Sequence, residues 1–529
     1  MKKILIPIFG ATLLFFNSCS EDYIDVNNDP NNAYNNQLTP KNRLAAAETT
    51  IYATQAVTMN RFGNLMMNAW AGNIYRYASP FSEEYQMVAN STFYNEIWDN
   101  LYLGVSNYQD IIDSPVAAQY PHHVAIAKIM KAYYMQMIVD LYNNAPYSEA
   151  FKGQNNLHPK YDQGKDIYKG LMDELNQALV LLTKTPANSS FAVATTEDPI
   201  FAGAMASWKQ MANTVKLKML VRLSNITDPG VIAWRDAELT AMAPLASSTT
   251  NFISADVRIQ PGYLAAAGLQ NPYYGAYSYI NLAGNDYGAN FQLIFGSEHM
   301  INTLNGTLTG VADARILRLF VANGLGSGNL SLPNYVGQPQ GGGQVVGADE
   351  SDFATLGLFG TAYSTTNPTT PSAAAGYVLT SSEVRFLQAE AATVYPTTMG
   401  AFNAQTLFND GITQSFITFG GTAAQATSYL GLIATKPGIG WPASTNKIQA
   451  IQYQKWIALT NINPTETYIS STKTGFPVLP MPIGSYKTTR PKRLMYPQSE
   501  YISNSANVPN PSVDQMYQAT NEYAPFWLK

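Results

Sequence analysis

Apolar residues recur every three or four positions through most of the first 240 residues and again from about 380 to 475, a period that predicts long helices. Thr39-Pro40 supplies an N-cap and a first-turn proline ahead of Leu44, Ala47, Ile51 and Thr54. Over residues 92–113, Tyr94, Trp98, Leu101, Tyr102, Val105, Tyr108 and Ile112 form one broad aromatic face. After a short link around Pro115, Pro121 opens a second long amphipathic helix through Ile126, Ile129, Met130, Tyr133, Met137, Ile138 and Leu141, and two such helices pack antiparallel. Residues 162–182 and 204–223 carry the same period, and Asp228-Pro229 starts a shorter helix.

From about residue 241 to 379 the period fades and Gly, Asn, Ser, Thr and Pro accumulate, leaving short helical runs at 299–304 and 313–320. Thr380-Ser381-Ser382-Glu383 has the form of a capping box and opens a helix through Val394. Further helices are expected at 404–419, at 447–459 and from Pro464, and the chain beyond Gly475 is punctuated by proline. The expected fold is mainly α: an α-solenoid of helical hairpins carrying a large loop-rich insert. The body spans 38–240 and 380–475, the insert about 241–379, and an irregular C-terminal wrap 476–529. No strict 34-residue repeat is visible, so the pattern alone does not name the repeat.

Ahead of this single domain, Lys2 and Lys3 precede an apolar run from Ile4 to Phe16 that is too short to span a bilayer. Residues 1–18 therefore read as a cleaved export signal, and 19–37, rich in Asn and Asp, as a flexible tether. Phe16-Asn17-Ser18-Cys19 resembles the lipobox of Bacteroidetes lipoproteins, which implies acylation, including palmitate, at Cys19. Two or more acyl chains anchor stably, since each buried CH2 contributes about 0.8 kcal/mol. Ser20-Glu21-Asp22 resembles the acidic tag of surface-exposed members of that class.

Cys19 is the only cysteine, which excludes an intramolecular disulfide and a thiolate metal site. Charged residues are 13% of the chain and the net charge is −5, so no basic footprint for nucleic acid exists. Thirty-four tyrosines beside many asparagines suit a neutral, hydroxyl-rich ligand, although most of these rings belong to helix interfaces.

Catalytic constellations are missing: no H-E-x-x-H, Walker A, G-x-S-x-G or G-x-G-x-x-G occurs. His122 and His123 are adjacent, so they point to different faces and suit solvation or capping better than metal ligation. Glu383 and Glu390 lie seven apart beside Arg385, a pattern of structural ion pairs and caps. Gly337 to Gly347 lacks the lysine of a phosphate cradle and reads as a mobile loop. No cofactor or metal is expected. Ligand platforms are sought instead among aromatics outside helical period. Two stretches qualify. One carries Trp70, Tyr75, Tyr77 and Phe81 around Gly72-Asn73 and Arg76; the other carries Tyr273, Tyr274, Tyr277, Tyr279 and Tyr287 among Gly, Asn and Asp286.

Several segments, in order, resemble the SusD/RagB outer-membrane lipoproteins of Bacteroidetes, and most closely the SusD-like 2 branch. They are Ile138-Val139-Asp140-Leu141-Tyr142 with Pro146-Tyr147-Ser148-Glu149-Ala150, then Pro159-Lys160-Tyr161-Asp162, and Trp208 through Lys216-Leu217 to Arg222. Glu383-Val384-Arg385-Phe386-Leu387, Gln454-Lys455-Trp456, Thr474-Gly475-Phe476-Pro477 and Arg493-Leu494 with Tyr496-Pro497 follow. Asn143-Asn144, Ala314 and Thr472-Lys473 depart from the family's usual Gly-Asp, Asp-Pro-Arg and Arg pair. The resemblance implies a tetratricopeptide-like helical superhelix at the cell surface, held in the outer membrane by its lipid anchor. It also implies binding of a nutrient, an oligosaccharide or polysaccharide first, and delivery to a SusC-like TonB-dependent transporter, without enzymatic activity. A peptide ligand on the same scaffold and a glycan-degrading surface enzyme are the alternatives.

Overall fold

The computed structural model describes residues 38–76, 81–266, 268–277, 290–322, 335–344, 346–348, 350–357 and 372–529. Cys19, the signal segment and the tether lie outside the described residues, as do Tyr77, Tyr279, Asp286 and Tyr287.

Helix α1 (Pro40–Thr54) runs through a π-helical turn (Gln55–Met59) into α2 (Asn60–Met66), followed by strand β1 (Trp70–Gly72) and α3 (Phe81–Gln86). The start of α1 is closed by the Asn42 side chain, which accepts from the Thr39 hydroxyl at 2.6 Å and the Thr39 N–H at 3.2 Å. Then come α4 (Asn95–Ile112), α5 (Pro121–Tyr142), α6 (Gly164–Leu181), α7 (Met205–Arg222) and α8 (Pro229–Met242), all in the expected order. Asp228 starts α8 by accepting the N–H groups of Gly230 and Val231 at 2.8 and 3.1 Å.

Helix α5 corrects the sequence reading. It is not amphipathic: α1, α4, α6 and α7 all pack on it, and Lys131, Gln136 and Asp140 on its polar side are buried with the rest. A helix covered all round needs partners for every polar group. Lys131 Nζ donates to Glu174 at 2.6 Å, and Asp140 accepts from Arg222 Nε at 3.1 Å.

The insert holds β2 (Val257–Ile259), α9 (Pro272–Tyr277), β3 (Ile294–Gly296), α10 (Glu298–Leu304), α11 (Ile316–Leu319), β4 (Phe320–Val321), β5 (Thr355–Leu356) and β6 (Gly376–Leu379). Its strands form two-stranded antiparallel ladders: β1 with β3 (Trp70 opposite Gly296, Gly72 opposite Ile294), β2 with β6, and β4 with β5. Strands of two to four residues leave no readable alternation, which is why none was expected.

The glycine run after Tyr335 is not loose over its described part. Gln338 N–H donates to the Gly296 carbonyl at 2.9 Å and accepts Glu298 N–H on its own carbonyl at 2.8 Å. Gln340 Nε2 reaches the Leu65 and Trp70 carbonyls at 2.7 and 3.1 Å. Glycine is needed there for contact: a Cβ on Gly337 would stand 2.5 Å from the Ser297 carbonyl oxygen.

After the insert come α12 (Ser381–Val394), α13 (Pro396–Met399), α14 (Ala404–Thr418), α15 (Ala423–Ile433), α16 (Lys447–Leu459) and α17 (Pro464–Thr474), which Gly475 ends at φ +76°. The 476–529 wrap contains α18 (Gln498–Ser503) and short 3-10 turns, and buries Trp527. Only half of the expected capping box forms. The Thr380 hydroxyl accepts Glu383 N–H at 3.1 Å, but the Glu383 carboxylate turns inward to Lys218 and Asn463.

That turn belongs to a buried ionic network linking α5, α7, α12, α16 and α17. Lys218 sits 2.9 Å from both Glu383 and Glu466, Lys455 2.9 Å from Glu466, and Lys473 2.6 Å from Glu390. Arg222 bridges Asp140 at 3.1 Å and Glu466 at 2.8 Å. Arg385, expected beside the two glutamates, pairs instead with Asp410 at 2.7 Å.

The superhelix closes on itself where α17 packs against α2. Asn60 Nδ2 and Trp70 Nε1 donate to Asn461 at 2.8 and 2.7 Å, and a Cβ on Gly63 would lie 2.3 Å from Thr465 N. No helix among the described residues is long and apolar enough to cross a membrane.

Candidate ligand-binding cleft

The ends of α2, α3 and α9 and the start of α4 meet where the helical body joins the insert. Arg61 projects from α2, Glu84 from α3 and Tyr277 from α9, and Tyr94 immediately precedes α4. Tyr94 has φ +53°, a left-handed backbone that a bulky side chain adopts only when its surroundings impose it. Those surroundings are visible. The ring packs edge-on against Phe62 and Phe93 with centroids 5.2 and 5.0 Å away, and the hydroxyl donates to Glu84.

Arg61 lies 3.6 Å from the same carboxylate, with its guanidinium 5.8 Å from the Tyr94 ring centre. Burial still dominates and pushes the Glu84 carboxyl up to about 7, against the opposing pull of Arg61 and the Tyr94 hydroxyl. Around this group opens a cleft of about 290 Å³ lined by Arg61, Tyr94, Asn95, Glu96, Tyr277 and Asn290, among others. Two amides, a guanidinium and a carboxylate over two largely covered tyrosines give donors and acceptors of both kinds beside an apolar floor, the equipment for holding a polyhydroxylated ligand.

A second group flanks β1. Arg76 makes a forked pair with Glu350 at 2.7 and 2.8 Å, and Asn73 Nδ2 donates to the same carboxylate at 2.9 Å. These hydrogen bonds, Arg76 first, hold Glu350 below the usual carboxylate range. Tyr75, half-buried, donates to the Ala348 carbonyl at 3.0 Å and lies 6.0 Å from Phe353. The insert is thereby pinned to the loop that follows β1.

Of the aromatics expected to stack on ligand, Trp70, Tyr273, Tyr274 and Tyr277 are at most 2% exposed. The expectation of open rings at these four is corrected. Pro272 starts a helix too short to show a period, and its tyrosines point into the core. Tyr273 donates to the Gly357 carbonyl at 3.3 Å, and the Tyr277 hydroxyl to the Val57 carbonyl at 3.0 Å while its ring meets Trp70 edge-on at 5.1 Å. They build the floor on which the cleft rests, and only Tyr277 also lines it. Phe81 begins α3. Tyr75 is half-buried. Arg61, Glu84, Asn95, Glu96 and Asn290 were not among the candidates, and Tyr94 was assigned to the α4 core stripe. Nothing in the sequence brings Arg61 and Glu84 together, but Phe93-Tyr94 directly before Asn95-Glu96 is a helix-entry signal that could have set Tyr94 outside the stripe.

The two histidines point to different faces as expected, but His123 neither caps nor meets solvent: it is buried with Nε2 3.0 Å from Glu197, while His122 faces the Lys184 carbonyl at 2.8 Å. No group of three or more His, Cys, Asp or Glu among the described residues could hold a metal ion.

The sequence matches the SusD-like 2 family, described as starch-binding and associating with the outer membrane, over residues 30–497. Among solved structures the fold is similar to a chitin-binding SusD homologue from Flavobacterium johnsoniae, with 20% identity and a TM-score of 0.67 over 92% of this chain and 98% of that one. A SusD homologue from Bacteroides uniformis gives 20% identity and 0.65 over 92% and 99% of the two chains. One from Bacteroides fragilis gives 20% and 0.64 over 93% and 100%. No curated protein sequence matches the chain. With motifs, helical superhelix and family match running together over most of its length, the chain belongs to the SusD-like 2 family.

Proposed function

We propose that this protein is a surface-exposed lipoprotein of the outer membrane that binds an oligosaccharide or polysaccharide and delivers it to a SusC-like TonB-dependent transporter. The observation that carries the reading is the cleft between body and insert, lined by tyrosine, amide and guanidinium groups in a member of a family described as starch-binding. Its carboxylates suit holding a ligand better than hydrolysis. Glu84 is fully buried and occupied by Tyr94 and Arg61, which leaves Glu96, among the described residues that line the cleft, without the second carboxylate that glycoside hydrolysis requires.

The test is incubation of the purified protein with a panel of soluble glycans, scoring both retention and new reducing ends. Retention without new ends supports binding. Turnover that Glu96→Gln abolishes overturns it in favour of an enzyme, and retention of peptides but no glycan would reassign the ligand.

A further inference from the structure

A larger cavity, of about 430 Å³, opens where the end of α5 meets the starts of α6 and α8 and the last residues of the chain. It shares no lining residue with the cleft at Tyr94. Trp98, one turn into α4 from Tyr94, packs at 4.8 Å on Tyr142, and Tyr142 immediately precedes Asn143 of this second cavity.

The walls are held in place by several independent bonds. Asn143 adopts φ +66° and ψ −90°, a conformation that needs outside support in a residue with a side chain. Its Oδ1 accepts the Phe526 N–H at 2.9 Å. Gly164 permits that approach, because a Cβ there would stand 2.8 Å from both the Asn143 carbonyl oxygen and Phe526 Cδ1. Asn144 Oδ1 accepts Gly164 N–H at 3.1 Å, and its carbonyl accepts the Tyr496 hydroxyl at 2.9 Å. A cavity fixed in this way needs little ordering when a ligand enters.

Its chemistry is mixed in a specific way. Ile226, Val231 and Phe526 give a buried apolar floor. At the mouth Lys165 pairs with Asp228 at 3.2 Å, both side chains more than a third exposed. Lys529 Nζ donates to the backbone carbonyl of Glu522 at 2.9 Å, and the Glu522 carboxylate makes no ion pair among the described residues. The side-chain amide nitrogens of Asn143 and Asn144 are likewise without a hydrogen bond among the described residues. Two cationic and two anionic side chains cancel, so the rim favours neither an anion nor a cation. A hydroxyl both donates and accepts, and can satisfy ammonium, amide and carboxylate alike while the C–H face of a sugar ring covers the floor.

We infer that this cavity is a second binding site, for a neutral, hydroxyl-rich small molecule of mono- or disaccharide size, a class that cavities of roughly 300 to 1,000 Å³ accommodate. The inference stands on the geometry of this cavity and is independent of what the cleft at Tyr94 binds.

The experiment uses the purified protein with glucose, N-acetylglucosamine, maltose and chitobiose, read by saturation-transfer NMR and calorimetry, with inorganic phosphate and glycine as charged probes. Two variants report on the site. Gln163→Trp places a large ring at the mouth from an exposed position with extended backbone and no capping bond. Glu522→Ala removes one exposed acceptor. Saturable binding of at least one sugar, weakened about tenfold or more by Gln163→Trp and about threefold to tenfold by Glu522→Ala, is the expected result. Glu522→Ala reads the site even if Gln163→Trp fails to fold. The inference is overturned by wild-type protein that binds none of the four sugars. It is equally overturned if the variants that fold, with wild-type melting temperatures, keep every sugar affinity unchanged, or if phosphate or glycine is the probe that the variants lose.

Discussion

Arg222 and Glu466 meet inside the superhelix, with Nη2 of the arginine donating to both carboxylate oxygens at 3.0 and 2.8 Å. Glu466 also takes Lys218 and Lys455, each at 2.9 Å. Burial alone would raise its pKa, but the three cations outweigh burial and hold the carboxyl well below the usual range. Replacing it strands the buried Lys455 without a carboxylate among the described residues and leaves Lys218 and Arg222 with one each, Glu383 and Asp140.

Glu466→Ala should therefore destabilise the protein by about 3 to 5 kcal/mol, measured by urea unfolding. The pH dependence has a definite sign. Because the folded value is the lower one, the unfolded chain takes up the proton first. The stabilisation is complete above an unfolded value of about 4.3 and is lost as pH falls towards the folded one. An acid-unfolding profile that Glu466→Ala leaves unmoved would contradict this.

Glu84 acts in the opposite sense. Its carboxyl is raised by burial to about 7, so between an unfolded value near 4.3 and about 7 the folded protein keeps a proton that the unfolded chain has released. Stability should fall as pH rises through that window, by at most about 4 kcal/mol from this group. Glu84→Gln, which preserves the acceptor for Tyr94, should flatten the slope in thermal melts taken from pH 4.5 to 8.

Tyr273→Ala and Tyr274→Ala should each lower stability by about 3 to 5 kcal/mol, as truncation of a buried aromatic does. Tyr75→Ala, at a half-buried position, should instead spare most of the stability and weaken glycan retention by about threefold to tenfold. Paired melting and calorimetry decide the matter: equal melting losses for Tyr75 and Tyr273 would remove the distinction between floor and rim.

Cys19→Ala should abolish palmitate incorporation and move the protein from the membrane to the soluble fraction, as follows from an anchor of two or more acyl chains. Metabolic labelling with fractionation reads both effects, and continued labelling would place the anchor elsewhere.

From native outer membranes in mild detergent, the protein should co-purify with a large TonB-dependent barrel. Recovery only as free monomer would count against delivery to a transporter.

Long elements were legible because period and punctuation agreed. Pro121 marked the start of α5 to the residue, and the 447–459 run became α16 unchanged. Helix α15 was missed although Thr422 and Gln425 make a capping box, with Gln425 Oε1 accepting Thr422 N–H at 2.8 Å. Its large apolar residues, Tyr429, Leu430, Leu432 and Ile433, crowd into the last turns, and the first two turns hold only small and polar residues, so no period shows. Amphipathicity misled at α5 because Lys131 and Asp140 look like surface residues until their partners on α6 and α7 are known. The motifs behind the family resemblance contain Asp140, Arg222, Glu383 and Lys455, and these turn out to belong to the buried ionic network rather than the ligand surface. Lys473, a departure from the family pattern, keeps the same charge and pairs with Glu390. The cleft was illegible for a plain reason: Arg61, Glu84, Tyr94 and Tyr277 come from four separate elements, and no spacing rule links them.

The closure of α2 against α17 sets an order of events. Asn60 is satisfied by Asn461, Gly63 is covered by Thr465 and Trp70 donates to Asn461, across separations of about 400 residues. A chain that emerges from its N-terminus presents α1 and α2 long before these partners emerge. Their apolar faces stay uncovered until residues 456–465 arrive, and contacts of such long range fold slowly. Proteases meeting the unfinished chain therefore find its first helices open, whereas in the folded protein α17 already covers α2.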